Sequence, residues 1–209
     1  MPDVPNPAFP GGFFDRADES DDAGFYATPR FVLHIDDATV AVLTGAYREF
    51  IPPGSDVLDL MSSWVSHLPE DLALGHVSGL GMNEEELEQN PRLDDYLVHD
   101  LNRDPELPYI GGSFDVVLNA VSLQYLTRPA EVFRAAARVL RPGGLHIVAL
   151  SHRCFPTKAI RAWHVLPPRE RLDVVRTYFA IAGGYAEPKV HDRSPEGADP
   201  LWLVTARRS

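Results

Sequence analysis

The chain has 209 residues, with 19 basic and 30 acidic side chains and a formal net charge of −11. That length supports one domain with a core large enough to need no staples, and 44% hydrophobic residues mark it as globular. The acidic balance argues against nucleic acid and anionic membrane surfaces as partners, and the single cysteine, Cys154, excludes an internal disulfide and a zinc cluster.

Residues 1–24 carry Pro2, Pro5, Pro7 and Pro10, then Gly11, Gly12 and a run of acids. This reads as an N-terminal arm, with residues 25–209 forming one domain. Phe9, Phe13 and Phe14 are expected to pin the arm onto that domain. Asp36 or Asp37 can cap a helix whose stripe is Val40, Leu43, Tyr47 and Phe50, and Ile51-Pro52-Pro53-Gly54 ends it. Asp56 to Met61 is then a strand, apolar on both faces except at Asp59, which is the pattern of a central parallel strand.

Four more strands are expected at 76–80, 96–99, 114–118 and 145–150. Asn83 can cap a short helix over 84–89. Pro129 opens a helix that Pro142-Gly143-Gly144 terminates, and Pro168 opens another that Gly183-Gly184 stops. Two last strands, near 185–190 and 201–206, are joined by too few residues for a crossover and form an antiparallel hairpin. The strand and helix signals alternate. They predict an α/β, Rossmann-like, doubly wound and mostly parallel sheet ending in that hairpin.

Ligands of such sheets bind beyond the carboxyl ends of the strands. The residues there are Asp59, Met61, Ser62 and Ser63; Gly81, Met82 and Asn83; Asp100, Leu101 and Asn102; Asn119, Gln124 and Tyr125; and Ser151 and His152. The set is polar but lacks the Lys and Arg a phosphate-rich nucleotide wants, and there is no Walker pattern and no G-x-G-x-x-G. A neutral or cationic ligand with hydroxyls and a flat ring fits it better.

Gly111-Gly112-Ser113-Phe114-Asp115-Val116-Val117, followed by Arg138-Val139-Leu140-Arg141-Pro142-Gly143-Gly144, resembles the class I S-adenosylmethionine-dependent methyltransferases, nearest their type 11 branch. The resemblance runs from Asp56 to about Ser151 and implies S-adenosyl-L-methionine as cofactor. Asp59 falls at the acid ending the first strand, where it orients the loop and the ligand's amino group. The glycines that usually follow are replaced within Met61-Ser62-Ser63-Trp64-Val65. Met61 and Trp64 would pack the cofactor, and Ser62 and Ser63 are potential donors to its carboxylate. Gly81 stands where an acid usually holds the ribose, with Met82 beside it and Asn83 or Glu84 as substitutes. Asp100 falls where the adenine amino group is held, Leu101 supplies a backbone N–H, and Asn119 completes the cofactor set.

His34, His67 and His152 are the candidate proton acceptors for a hydroxyl or amine. Tyr26 and Phe31 would wall the substrate side as part of a lid, with Gln124 and Tyr125 opposite. No metal is expected. The leading function is methyl transfer to a small-molecule acceptor by a cytoplasmic protein, with a homodimer left open. The alternatives are a methyltransferase-fold protein that has lost its cofactor and serves as a binding subunit, or one that uses the cavity for a non-methylating reaction.

Overall fold

Burial at every position of Val57–Leu60 (β1) makes it the centre of the sheet, as its unbroken apolar run requires. The computed structural model describes residues 8–209, so Pro2, Pro5 and Pro7 of the arm lie outside the described residues. In chain order the elements are α1 (Asp22–Tyr26), α2 (Asp37–Phe50), β1, β2 (Val77–Gly81), α3 (Glu84–Glu88), β3 (Asp95–Val98), β4 (Phe114–Ala120), a 3-10 turn at Leu123–Tyr125, α4 (Pro129–Val139), β5 (Leu140–Leu150), α5 (Arg161–Val165), α6 (Pro168–Ala182), β6 (Lys189–Asp192) and β7 (Trp202–Arg207).

The seven strands lie in the order β3-β2-β1-β4-β5-β7-β6. β1 pairs in parallel with β2 and β4, placing Leu60 beside Leu80 and Asn119. β7 runs antiparallel to both β5 and β6, which is the expected terminal hairpin. Its first strand begins at Lys189 rather than near Tyr185, which makes only an isolated bridge to Arg208.

Residue parity separates two cores. Leu58, Leu60 and Val117 pack with Val132 and Phe133 of α4 and Val175 and Phe179 of α6. Val57, Val77 and Val116 pack with Leu43, Ala46 and Tyr47 of α2. Asp36 caps α2, accepting from the Thr39 N–H at 2.8 Å.

Two features set the connections around the sheet. The alternation is incomplete: residues 61–76 between β1 and β2, and 99–113 between β3 and β4, contain no helix. Neither segment carries a stripe of helical period, and both are interrupted by proline or glycine. Leu68 and Leu72 instead tuck the first loop against the α2 core.

The described part of the arm is a strap on the domain, and α1 runs across the expected boundary at residue 24. Phe9, Phe13 and Phe14 stack among themselves, and Phe9 meets Tyr178 of α6 at 5.5 Å. The strap is also tied by backbone, with Arg161 N–H donating to Asp15 O at 2.7 Å and Asp18 N–H to Thr157 O at 2.9 Å. Among the described residues, no helix is long and apolar enough to cross a membrane.

Candidate active site

A cavity of about 1080 Å³, counting its open mouth, lies over the carboxyl ends of β1 to β4. Its floor is Asp59 in β1 with Met61, Ser62 and Ser63 after it, Gly81 ending β2 with Met82 after it, Asp100 and Leu101 after β3, and Ala120 ending β4 with Val121 and Ser122 after it. Its roof comes from before β1, with Asp22 and Tyr26 of α1, then Arg30 and His34.

Backbone strain is concentrated here. Met61, His67 and Val121 have φ of 55°, 56° and 49° and are the non-glycine residues with positive φ among those described. All three line the cavity. Such conformations cost on the order of 1–3 kcal/mol each and persist where surrounding structure imposes them. Met61 therefore keeps a left-handed backbone of the kind glycine adopts without penalty, although the glycine is gone.

Asp59 is 2% exposed and accepts from Ser62 Oγ at 2.7 Å. Burial pushes its carboxyl up to about 6, against the opposing hydrogen bonds from Ser62 and Ser66. The missing acid at the end of β2 has a steric cause. A Cβ on Gly81 would collide with the carbonyl oxygen of Ser62 and crowd Leu87, because the loop after β1 folds directly over it, with Ser62 N–H donating to Leu80 O at 2.8 Å.

A carboxylate reaches the same region from α3. Glu86 is buried, lines the cavity, and accepts from the Arg30 backbone N–H at 2.7 Å. Burial raises its carboxyl above the usual range. Asn83 also lines the cavity, but its amide is engaged. Its oxygen accepts from Glu86 N–H, capping α3, and its nitrogen donates to the Tyr26 carbonyl at 2.9 Å. Asp100 is fixed by the turn after β3, accepting from the Asn102 N–H at 2.9 Å.

Two of the three candidate histidines reach the cavity. His67 is 9% exposed and its Nδ1 is buried without a partner. Burial, with a contribution from nearby His34, lowers it to about 4, so its ring is neutral at ordinary pH. His34 is also lowered, by burial and by Arg30, and it meets the Phe155 ring edge-on at 5.5 Å. His152 is not brought in. Its exposed ring faces Asp199 at 3.6 Å, because the chain after β5 turns its side chain away.

The remaining candidates divide. Tyr26 and Tyr125 line the cavity, and the Tyr125 hydroxyl accepts from the Phe155 N–H at 2.8 Å. Phe31 does not line it. Its half-exposed ring lies 6.2 Å from Trp64, whose indole N–H donates to the Val32 carbonyl, so Trp64 also faces away. Gln124 is buried and donates to the Val121 and Arg153 carbonyls, holding the strained Val121 from behind. Asn119 is buried one residue below Ala120 and outside the wall.

Asp22, Arg30, Glu86, Ser122 and Phe155 line the cavity without having been marked as site residues in the sequence. Phe155 follows closely on the strand-end residues Ser151 and His152, which was the available signal. Asp22 and Glu86 lie in acidic runs indistinguishable from solvated surface.

An open α/β sheet of this order, with acids at the ends of its first and third strands, defines the class I S-adenosylmethionine-dependent methyltransferase fold. Residues 64–148 match the family model of the methyltransferase domain, and this match together with the fold supports a class I S-adenosylmethionine-dependent methyltransferase with S-adenosylmethionine as cofactor.

The chain is 42% identical over 74 residues to the 27-O-demethylrifamycin SV methyltransferase of Amycolatopsis mediterranei, covering 32% of this chain and 27% of that protein. It is 35% identical over 98 residues to the ubiquinone biosynthesis O-methyltransferase of Marinobacter nauticus, covering 41% and 40%. The matches thus span well under half of these relatives. In fold it is similar to an S-adenosylmethionine-dependent methyltransferase from Mesorhizobium loti, with a TM-score of 0.60 at 20% identity, covering 80% of this chain and 98% of that one.

The residues present fit that cofactor. Four carboxyl groups, Asp22, Asp59, Glu86 and Asp100, line the cavity where a sulfonium and an ammonium would lie. Ser122 Oγ and His67 Nδ1 are buried polar atoms with no partner in the protein.

Proposed function

We propose that the protein transfers a methyl group from S-adenosylmethionine to a hydroxyl of a small-molecule acceptor. The observation that carries this reading is the meeting, in one cavity, of two strand-end carboxylates with two neutral imidazoles. Asp59 and Asp100 line it beside His34 and His67, and burial keeps both rings unprotonated.

The cofactor, when bound, supplies an electrophilic methyl group on its sulfonium. The chain's own residues do the rest. Asp59 holds the ammonium end, and Asp100 with the Leu101 N–H holds the adenine. Glu86, reaching from α3, takes the part of the absent β2 acid toward the ribose. His67 or His34 accepts the hydroxyl proton as the acceptor oxygen attacks, and Tyr26, Tyr125 and Phe155 exclude water from the acceptor. The O-methyltransferase named among the relatives supports a hydroxyl acceptor.

Calorimetric titration with S-adenosylmethionine and S-adenosylhomocysteine tests the reading. Binding of both, lost in Asp59→Ala and Asp100→Ala, is expected. Absence of heat for either ligand overturns it.

A further inference from the structure

The wall of the cavity is not uniform. Over β1 to β3 it is lined by carboxyl groups. Toward β4 and β5 it is aromatic, and Arg30 is the one Lys or Arg among its described lining residues. The guanidinium donates to two neutral carbonyls, Phe25 O at 2.8 Å and Thr28 O at 3.2 Å. It is packed against three rings, Phe25 at 4.4 Å, Phe155 at 5.4 Å and Tyr26 at 5.9 Å.

Those contacts hold the guanidinium in place through neutral partners, while its charge acts on the Glu86 carboxyl without a side-chain hydrogen bond to it. Other arginines of the chain, such as Arg16, Arg48, Arg141 and Arg193, are paired with carboxylates. Glu86, the acid nearest Arg30 in the cavity, accepts from its backbone N–H instead. An arginine fork has five N–H donors, and two carbonyl contacts leave donors for a planar anion.

The same wall selects a ring. Phe155 lies nearly parallel to Tyr125 at 5.7 Å, edge-on to His34 and against Arg30. With Phe25 also edge-on to it at 5.5 Å, Phe155 makes this end of the cavity an aromatic wall that holds the His34 imidazole and the Arg30 guanidinium against one ring.

We infer that Arg30 determines acceptor specificity, and that the acceptor is an aromatic hydroxy acid whose carboxylate docks on Arg30 while its hydroxyl is presented to His34 or His67. This rests on the proposed methyl transfer. It adds that the acceptor is an anion, although the protein's net charge is strongly negative. A carboxylate–guanidinium pair in a partly water-excluded site gives discrimination of ten-fold or more against an uncharged analogue.

The probes are 3,4-dihydroxybenzoate and its methyl ester, titrated calorimetrically into protein saturated with S-adenosylhomocysteine. The acid is expected to bind at least ten-fold more tightly than the ester. In Arg30→Met the acid should weaken to the level of the ester, while S-adenosylhomocysteine affinity changes less than two-fold. Arg30→Lys keeps the charge without the fork and should recover part of the loss, which separates charge recognition from a folding defect.

Equal binding of acid and ester, binding of neither, or an unaltered acid affinity in Arg30→Met would overturn the assignment. So would loss of S-adenosylhomocysteine in Arg30→Met, which would give the residue to the cofactor. Failure of the wild-type protein to bind S-adenosylhomocysteine overturns the methyl-transfer reading itself, a different result from any of these.

Discussion

Lys158 Nζ lies 3.1 Å from Asp22 Oδ1, with the lysine side chain wholly buried and the aspartate 6% exposed. The ammonium also donates to the Ser20 carbonyl at 2.7 Å. Asp22 in turn receives Arg16 at 2.8 Å and Asn102 Nδ2 at 2.9 Å. One carboxylate of α1 thus ties the roof of the cavity to the loop after β3 through Asn102 and to the segment after β5 through Lys158. Burial alone would raise the Asp22 carboxyl, but Asn102, Arg16 and Lys158 together hold it below the usual range.

Lys158→Met is therefore expected to destabilise the protein by about 3 kcal/mol, since it leaves a buried acid short of a partner. Urea unfolding measures this. The variant should also bind S-adenosylhomocysteine more weakly, because the roof loses its anchor. A stability change below about 1 kcal/mol would show that the strap is held mainly by its phenylalanines.

Asp59 illustrates function opposing stability. Its folded carboxyl is raised to about 6, so the folded state holds a proton that the unfolded chain has already released. The sign follows: stability falls as pH rises from about 4 to 6, and the full cost of the buried charge is present above 6. Asp59→Asn should raise stability at pH 8, by an amount on the order of 1–3 kcal/mol. The same variant should lose affinity for a cationic amino acid ligand. Thermal unfolding of the free protein at pH 5 and pH 8 checks the first part, and an unchanged difference between wild type and variant would refute it.

Much of the scaffold was legible because apolar period and terminator residues specify it directly. The α2 stripe, Pro129, Pro168 and the buried β1 run each placed an element. The segments after β1 and β3 offer no helical stripe, no helix is expected in them, and none forms. The cavity lining was legible where position relative to a strand end decides it, as for Asp59, Ser62, Gly81, Asp100 and Leu101. It was illegible where the chain returns from far away. Nothing local to Asp22 or Lys158 says that the two meet beside the strand ends, and Gln124 lies at a strand end yet turns inward to hold Val121. The long-range contacts that create such neighbours leave no periodic trace.

Gly81 offers a direct test of why the β2 acid is absent. Its Cα sits under the Ser62 carbonyl, where a side chain has no room. Gly81→Ala is expected to cost about 1–3 kcal/mol through displacement of the loop after β1. Gly81→Asp, although it restores the residue usual in the resembled family, should bind S-adenosylhomocysteine more weakly than wild type. Tighter binding by Gly81→Asp would show that the loop moves aside and that Glu86 has no part in holding the ligand.

The division of labour between His67 and His34 is open to a kinetic test once an acceptor is in hand. His67 is held neutral to about pH 4 by burial, has a backbone φ of 56° and carries an unpartnered buried Nδ1, so its position is more tightly imposed than that of His34. If it accepts the hydroxyl proton, His67→Gln should lower kcat by roughly 10²-fold or more while leaving cofactor affinity within about two-fold. The wild-type acid limb should then lie near pH 4, below the range where an ordinary histidine titrates, so kcat should be level from pH 5.5 to 7. His34→Gln, removing a ring whose neighbour is Phe155, should act more on KM than on kcat. A kcat loss confined to His34→Gln would exchange the two roles, and a loss in neither would mean that the acceptor reaches the methyl group already ionised.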